Sequence, residues 1–223
     1  MHTDKATLID VSHVVGYGII TYRGLSAPII CGYLSREASQ AHYAEGMTFQ
    51  IGKLEMVANT GTYVDAPFHR YAGGRDVATL PLASLANLAG LVVHAPPHVR
   101  ALGAELFDAH ELAGKAVLIH TGWDKHWRMD QYFAGHPFLT RQAAEHLQVA
   151  GVTLVDIDSY NTDDTLDGCR PVRSILLRAD IPIVEHLCHL EVLPDSSFAF
   201  YAVPFKIKGF GTFPVRAFSV VHA

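Results

Sequence analysis

The residues best suited to chemistry lie in one stretch, residues 59–69, which reads Asn59-Thr60-Gly61-Thr62-Tyr63-Val64-Asp65-Ala66-Pro67-Phe68-His69. Asp65 and His69 are four positions apart, and Pro67 holds the residue before it in extended geometry. Gly61 permits a tight backbone turn upstream. We therefore expect the carboxylate and the imidazole to lie close together, where an aspartate can orient a histidine and raise its basicity. A turn-capping aspartate beside a structural histidine fits the same spacing.

Both strands and helices are needed to position residues 59–69. Short apolar runs with strand character are predicted over residues 8–13, 49–58, 91–95, 116–121, 152–157, 181–185, 198–203 and 216–221. Helices are predicted from the Thr140 cap to Ala150, from Pro171 to Leu177, and over 104–112. This alternation indicates an α/β fold with a mixed central sheet and flanking helices. Residues 14–45 have weak periodicity and suit a lid, a subunit contact or a plain surface loop.

The composition bounds the class of protein. With 223 residues, 49% of them hydrophobic and 17% charged, the chain is expected to form one globular domain over residues 1–223. A net charge of −5 argues against nucleic-acid and anionic-membrane partners. No apolar run is long enough to span a bilayer, and Met1–Ala6 lacks the apolar core of a signal peptide. Three widely spaced cysteines form no metal or redox motif, so a reduced, cytoplasmic protein is expected.

Residues 59–69 resemble the His-x-Gly-Thr-His-x-Asp-x-Pro-x-His signature of the cyclase family, which includes bacterial kynurenine formamidase and isatin hydrolase. Residues 9–13 with 21–24 resemble the family's opening strand and loop, residues 158–164 its acidic turn, 173–187 its glutamate segment and 204–216 its closing stretch. The resemblance covers nearly the whole chain. It implies the swivelling β/α fold of this family, a homodimer or homotetramer, and a divalent metal that activates water against an amide carbonyl.

The match is incomplete at the metal. Three positions keep the family's side chains, namely Asp65, His69 and Glu185. Three others carry a substitute for an expected histidine, namely Asn59, Tyr63 and Arg173. Asparagine and neutral tyrosine are poor ligands for transition metals, and a guanidinium is not a ligand. Of the side chains that the resemblance implies, two carboxylates and one imidazole remain, and such a trio can still bind a metal.

Charge favours a pocket without a metal. A guanidinium at Arg173 can hold a carboxylate through two parallel hydrogen bonds, and it would repel a nearby dication. We therefore predict that Arg173 pairs with Glu185, Asp65 or both, and that the protein needs no cofactor. In the alternative, Arg173 points to solvent and zinc or manganese binds through Asp65, His69 and Glu185.

Three functions remain open. The first is a metal-independent enzyme of cyclase or lyase type, with His69 as acid or base, Asp65 as its orienting partner and Tyr63 as a third catalytic candidate. It would catalyse ring closure, dehydration or isomerisation of a small cyclic or aromatic carbonyl compound. The second is a hydrolase of an amide, imide or lactone, and the third an inactive member that binds a small molecule. The expected substrate contacts are Asn59, Thr62, Arg173, Glu185, Tyr22, Phe68 and Trp123.

Overall fold

A nine-stranded mixed sheet organises the chain in the computed structural model, which describes residues 6–222. The strands are β1 (Ala6–Asp10), β2 (Ile29–Leu34), β3 (Ile51–Glu55), β4 (Tyr63–Asp65), β5 (Leu88–His94), β6 (Ala101–Leu102), β7 (Ala116–His120), β8 (Phe138–Leu139), β9 (Leu154–Ile157), β10 (Ile183–Glu185), β11 (Phe198–Tyr201), β12 (Thr212–Pro214) and β13 (Phe218–His222). The large sheet has the order β1-β13-β11-β5-β7-β9-β10-β4-β12. The predicted α/β fold with a mixed central sheet is confirmed.

The centre of the sheet is parallel and its flanks are antiparallel. Strands β5, β7, β9 and β10 run parallel to their neighbours in that order. They read as continuous apolar runs because both faces of a parallel sheet are covered. On one face the core includes Val117, Ile119 and Ile157 and packs against the helices. On the other face Leu118 and Leu154 belong to a second core, which loops and 3-10 turns close.

Few helices accompany the sheet. The α-helices are α1 (Arg36–Ser39), α2 (Arg141–Val149) and α3 (Pro171–Arg178). The 3-10 helices span Gln40–His42, Pro67–His69, Leu82–Ser84, Ala104–Phe107, Trp123–His126, Asp130–Phe133 and Leu190–Val192. The Thr140 hydroxyl caps α2 by accepting a hydrogen bond from the Ala143 amide at 3.2 Å, and Pro171 begins α3, as predicted. The helix predicted over 104–112 is wrong, because Gly103 supplies no side-chain cap and only a short 3-10 helix forms.

Strands β2 and β3 form a two-stranded antiparallel hairpin outside the large sheet. Strand β2 lies within the segment 14–45, and β3 lies within the strand predicted over residues 49–58. The apolar side chains of the hairpin are exposed in the monomer, with Ile29 at 52%, Ile30 at 43% and Leu54 at 53%. No other part of residues 6–222 buries these side chains. A lone two-stranded hairpin is only marginally stable in water. No helix in residues 6–222 is long and apolar enough to cross a membrane. Residues 1–5, which include most of the segment considered for a signal peptide, lie outside the described residues.

The register of three strands assembles the candidate site. Strand β4 pairs antiparallel with β10 so that Asp65 lies opposite Ile183 and Tyr63 opposite Glu185. On its other side β4 pairs with β12, which places Thr212 opposite Asp65. The sheet therefore brings together residues that are far apart in the sequence. Helix α3 lies next to them in space and contributes Arg173.

One buried carboxyl group is unrelated to this site. Asp156 lies in β9 between Leu118 and Val184, is fully buried, and its two oxygens have no hydrogen-bond partner in residues 6–222. Burial raises the pKa of this carboxyl group well above its usual value, so the folded protein keeps it protonated. The unfolded chain ionises it first, and stability therefore falls as the pH rises above the unfolded pKa.

We expect Asp156→Asn to increase the free energy of unfolding near neutral pH, because it removes the cost of keeping an acid protonated. Urea unfolding between about pH 4 and about pH 8 should give a flatter pH dependence than in the wild type. Asp108→Asn, at an exposed position, is the control. Equal slopes for the wild type and the Asp156 variant would contradict this interpretation.

Candidate active site

The Arg173 guanidinium lies at the centre of the candidate site. Its Nε donates to Asp65 Oδ2 at 2.8 Å, and its Nη2 donates to Glu185 Oε2 at 2.7 Å. Its Nη1 donates to Asn161 Oδ1 at 3.2 Å and lies 3.6 Å from an oxygen of Asp163. The predicted pairing of Arg173 with both carboxylates is confirmed. Helix α3 makes it possible, because Asp163 accepts hydrogen bonds from the first amides of the helix and fixes its start.

Glu185 is fully buried and completely hydrogen-bonded. Thr162 donates to Oε1 from its amide at 2.7 Å and its hydroxyl at 2.8 Å, while the Tyr63 hydroxyl donates to Oε2 at 2.7 Å. Burial alone would raise the pKa of Glu185, but the Arg173 guanidinium and these donors bring it down to about 2. The carboxylate is therefore a fixed negative charge that anchors Arg173.

His69 contacts Asp65 through a third residue. The two side chains are 3.9 Å apart, which is too far for a hydrogen bond. The Thr212 hydroxyl lies between them, 2.6 Å from Asp65 Oδ1 and 2.7 Å from His69 Nδ1. Gly211 allows this approach, since a Cβ there would lie 2.5 Å from the backbone of His69. The expected proximity is present, and direct orientation of His69 by Asp65 is replaced by a relay.

The donors and acceptors of this relay follow from the hydrogens that each side chain carries. Asp65, paired with Arg173, can only accept, so the single Thr212 hydroxyl hydrogen goes to the carboxylate. His69 must then donate from Nδ1 to the Thr212 oxygen. A neutral imidazole held in this way keeps its lone pair on Nε2, which is the form needed by a general base.

His69 and Arg173 both line a cavity of about 280 Å³. Its other lining residues are Tyr22, Leu25, Asn59, Tyr63, Arg70, Asn161 and Arg170. Tyr22 stacks on Tyr160 with ring centroids 4.9 Å apart, so the segment after residue 14 forms one wall. The volume and the mixed apolar and polar lining suit a small molecule.

Four predicted contact residues do not line this cavity. The Thr62 hydroxyl donates to the His186 carbonyl and accepts from the His13 amide, so it serves the turn. Trp123 donates from its indole to the Tyr132 carbonyl in a separate 3-10 helix. Phe68 is partly exposed but lies outside the lining, and Glu185 lies behind Arg173. We assign no substrate contact to these four residues.

Sequence reasoning missed several lining or relay residues. Thr212 lies 147 positions from Asp65, so no local spacing reveals it. Asn161 was inside the recognised acidic turn, but its role depends on where Arg173 lies. Arg70 and Arg170 carried one available signal, because each flanks a recognised element, the 59–69 stretch and the helix at Pro171.

The donor set does not suit a metal ion. Each oxygen of Asp65 and Glu185 already accepts a hydrogen bond, and His69 Nδ1 is bonded to Thr212. The guanidinium of Arg173 holds the position between the two acids, where a dication would be repelled. Within residues 6–222 no group of three or more His, Cys, Asp or Glu side chains could hold a metal ion. These residues therefore do not fit a divalent metal.

Removing the guanidinium should expose the cost of the two buried acids. We expect Arg173→Met to lower the free energy of unfolding by about 3–5 kcal/mol near neutral pH. The deficit should shrink in acid, because in the wild type the low pKa of Glu185, about 2, adds stability that is present above about pH 4.5 and lost below it. In the variant, burial would raise that pKa and reverse the contribution.

Urea denaturation of both proteins at several pH values measures this difference. Arg141→Met, which removes an exposed guanidinium from α2, is the matched control and should change stability little. A loss in Arg173→Met no larger than in the control would show that the ion pairs do not hold the site together.

Comparisons with known proteins agree with this architecture. Kynurenine formamidase from Bacillus cereus is 26% identical over 210 residues, which cover 94% of this chain and 95% of the relative. An isatin hydrolase bound to the product analogue thioisatinate superposes with a TM-score of 0.81 at 22% identity, over 98% of this chain and 93% of that one. Isatin hydrolase A from Labrenzia aggregata gives a TM-score of 0.82 at 19% identity, over 98% and 94%. The structural likenesses establish the fold.

A family model described as "Putative cyclase" matches residues 6–164, which is more than half of the chain. The matched region contains β1, the whole 59–69 stretch and the acidic turn that ends at Asp164. The chain therefore belongs to the cyclase family.

Proposed function

We propose that this chain is a metal-independent hydrolase that opens a C–N or C–O bond at the carbonyl of a small amide, imide or lactone. The observation that carries the proposal is the relay of His69, Thr212 and Asp65 at the wall of the cavity. Relatives across nearly the whole chain bear the names of hydrolases, which favours hydrolysis over other acid–base reactions.

In the proposed reaction His69 Nε2 takes a proton from a water molecule while the water oxygen attacks the carbonyl carbon. The π electrons move to the carbonyl oxygen, which becomes an oxyanion. When the oxyanion collapses, the C–N or C–O bond breaks and His69 returns its proton to the leaving atom. Thr212 and Asp65 stabilise the imidazolium formed between these steps.

Donors at the cavity wall can stabilise the oxyanion. The Asn161 oxygen accepts from Arg173 Nη1 and from the Asp163 amide, which leaves the Asn161 NH₂ group without an acceptor in residues 6–222. Asn59 adds a second amide. Removal of one such donor typically costs about 10²–10³ in rate. The Tyr63 hydroxyl already donates to Glu185, and burial raises its pKa well above the usual value, so we assign Tyr63 to positioning.

Ring closure, dehydration or isomerisation is the second candidate. The specific observation in its favour is Arg173, which occupies the place between the acids and leaves His69 to activate water alone. Reactions of this class need only proton transfers, which the same relay can perform. The substrate would again be a small carbonyl compound.

The source of oxygen in the product separates the two reactions. We expect turnover of a panel of aromatic amides, imides and lactones in H₂¹⁸O to place one labelled oxygen in the product acid, as detected by mass spectrometry. His69→Gln should lower kcat by about 10²–10⁴-fold, because it removes the base. Thr212→Val should cause a smaller loss, about tenfold, because it only misaligns His69.

Thr153→Val is the control, since its side chain makes no hydrogen bond within residues 6–222 and lies away from the cavity. Product without ¹⁸O would contradict hydrolysis and support ring closure, dehydration or isomerisation. Normal turnover by a folded His69→Gln variant would contradict the assignment of the base, and ligand binding without turnover by any variant would indicate an inactive binding protein.

We also propose that the β2–β3 hairpin is covered by a second copy of the chain in a homodimer or homotetramer. Both strands expose apolar side chains in the monomer, including Ile30 and Leu54, which lie opposite each other in the register. An exposed apolar patch on a folded protein commonly marks a surface that binds another protein.

Light scattering after size exclusion should give a mass of at least two chains. Leu54→Lys should shift the protein towards the monomer, because a charge would enter the apolar contact. Val149→Lys, at a position that is 88% exposed on α2, is the control and should leave the mass unchanged. A monomeric wild type would refute the proposal.

A further inference from the structure

Three arginines line the cavity, and only one of them has its charge neutralised nearby. Arg173 pairs with Asp65 and Glu185. In contrast, Arg70 and Arg170 have no carboxylate oxygen within 4.0 Å in residues 6–222. Arg70 is exposed and Arg170 is half-buried, so both guanidiniums are accessible to an anionic ligand in the cavity.

Both arginines are held in place by carbonyl groups and keep donors free. Arg70 Nη2 donates to the Cys169 carbonyl at 3.1 Å. Arg170 reaches the carbonyls of Asp164 at 3.4 Å and Thr165 at 3.3 Å. A guanidinium has five N–H donors, so each side chain has several left for a ligand. The carbonyl contacts orient the guanidiniums without neutralising them.

The backbone at Arg170 supports a functional role. Its φ of +48° and ψ of +60° lie in the left-handed region, which costs energy for a residue with a side chain. Glycine would adopt this conformation without that cost, and Gly168 stands two positions away. Such a conformation persists only where the surrounding structure holds the residue, so the backbone of Arg170 is fixed at the cavity.

We infer that Arg70 and Arg170 together bind a carboxylate of the substrate, so that the enzyme acts on organic acids that carry both a carboxylate and the reacting carbonyl. This inference rests on the proposed function, because it defines the substrate class of the same cavity. The planar fork of arginine matches the two oxygens of a carboxylate. Tyr22 and Leu25 also line the cavity and provide apolar surface for the carbon skeleton of the acid.

The site suits a carboxylate better than a phosphate. Phosphate sites commonly use the free amides at the start of a helix. Here the first amides of α3, from Val172 and Arg173, donate to Asp163 at 2.7 and 3.1 Å and are unavailable. The cavity therefore offers two side-chain forks and no backbone cradle.

Binding of benzoate and of its neutral isostere benzamide, measured by calorimetry or ligand-observed NMR, tests the inference. We expect benzoate to bind the wild type at least about tenfold more tightly than benzamide. Arg70→Gln and Arg170→Gly should each weaken benzoate binding by about tenfold and leave benzamide binding unchanged. Arg170→Gly relieves the backbone strain while it removes the two carbonyl contacts, so the variant should remain folded, which circular dichroism would verify.

Arg141→Gln removes the same charge from an exposed position of α2 and should not change benzoate affinity. Benzoate binding requires no turnover, so a failure of the proposed catalysis would leave this result intact. The inference is overturned if the Arg70 and Arg170 variants bind benzoate as tightly as the Arg141 variant, if benzamide binds as well as benzoate, or if inorganic phosphate binds more tightly than benzoate.

Discussion

The ion pairs of Arg173 with Asp65 and Glu185 are the interaction on which the rest of the site depends. Two fully buried carboxylates lie on either side of Arg173, and a buried charge without a partner is strongly destabilising. The guanidinium stabilises both carboxylates through hydrogen bonds and joins β4 and β10 to α3. Once Asp65 is held on Arg173 through one oxygen, its other oxygen is free to accept from Thr212 and thereby to orient His69.

This arrangement separates charge balance from catalysis. A divalent metal in the place of Arg173 would both neutralise the acids and activate water. A guanidinium can only neutralise and donate hydrogen bonds, so in the proposed reaction the proton transfers fall to His69 and the relay behind it. The remaining positive charge of the cavity, on Arg70 and Arg170, is then available for the substrate. Arg173 is thus paired with buried acids, whereas Arg70 and Arg170 line the cavity without a carboxylate oxygen within 4.0 Å in residues 6–222.

Much of the fold follows from local patterns in the sequence, whereas the site follows only in part. The Thr140 cap and the Pro171 start predict α2 and α3 because their effects are local. The 104–112 pattern misleads because apolar spacing without a cap can equally bury a 3-10 turn. The pairing of Arg173 is predictable from charge and family resemblance. The role of Thr212 is not, because strand register between β4 and β12 creates it.

The most direct test of this account is elemental analysis of the protein purified without chelator, followed by calorimetric titration with zinc and manganese. If Arg173 takes the place of the ion, the protein will contain far less than one equivalent of either metal, neither metal will bind at the site, and catalytic activity will survive exhaustive dialysis against a chelator. About one zinc or manganese per chain, bound through Asp65, His69 and Glu185 and required for activity, would contradict the account.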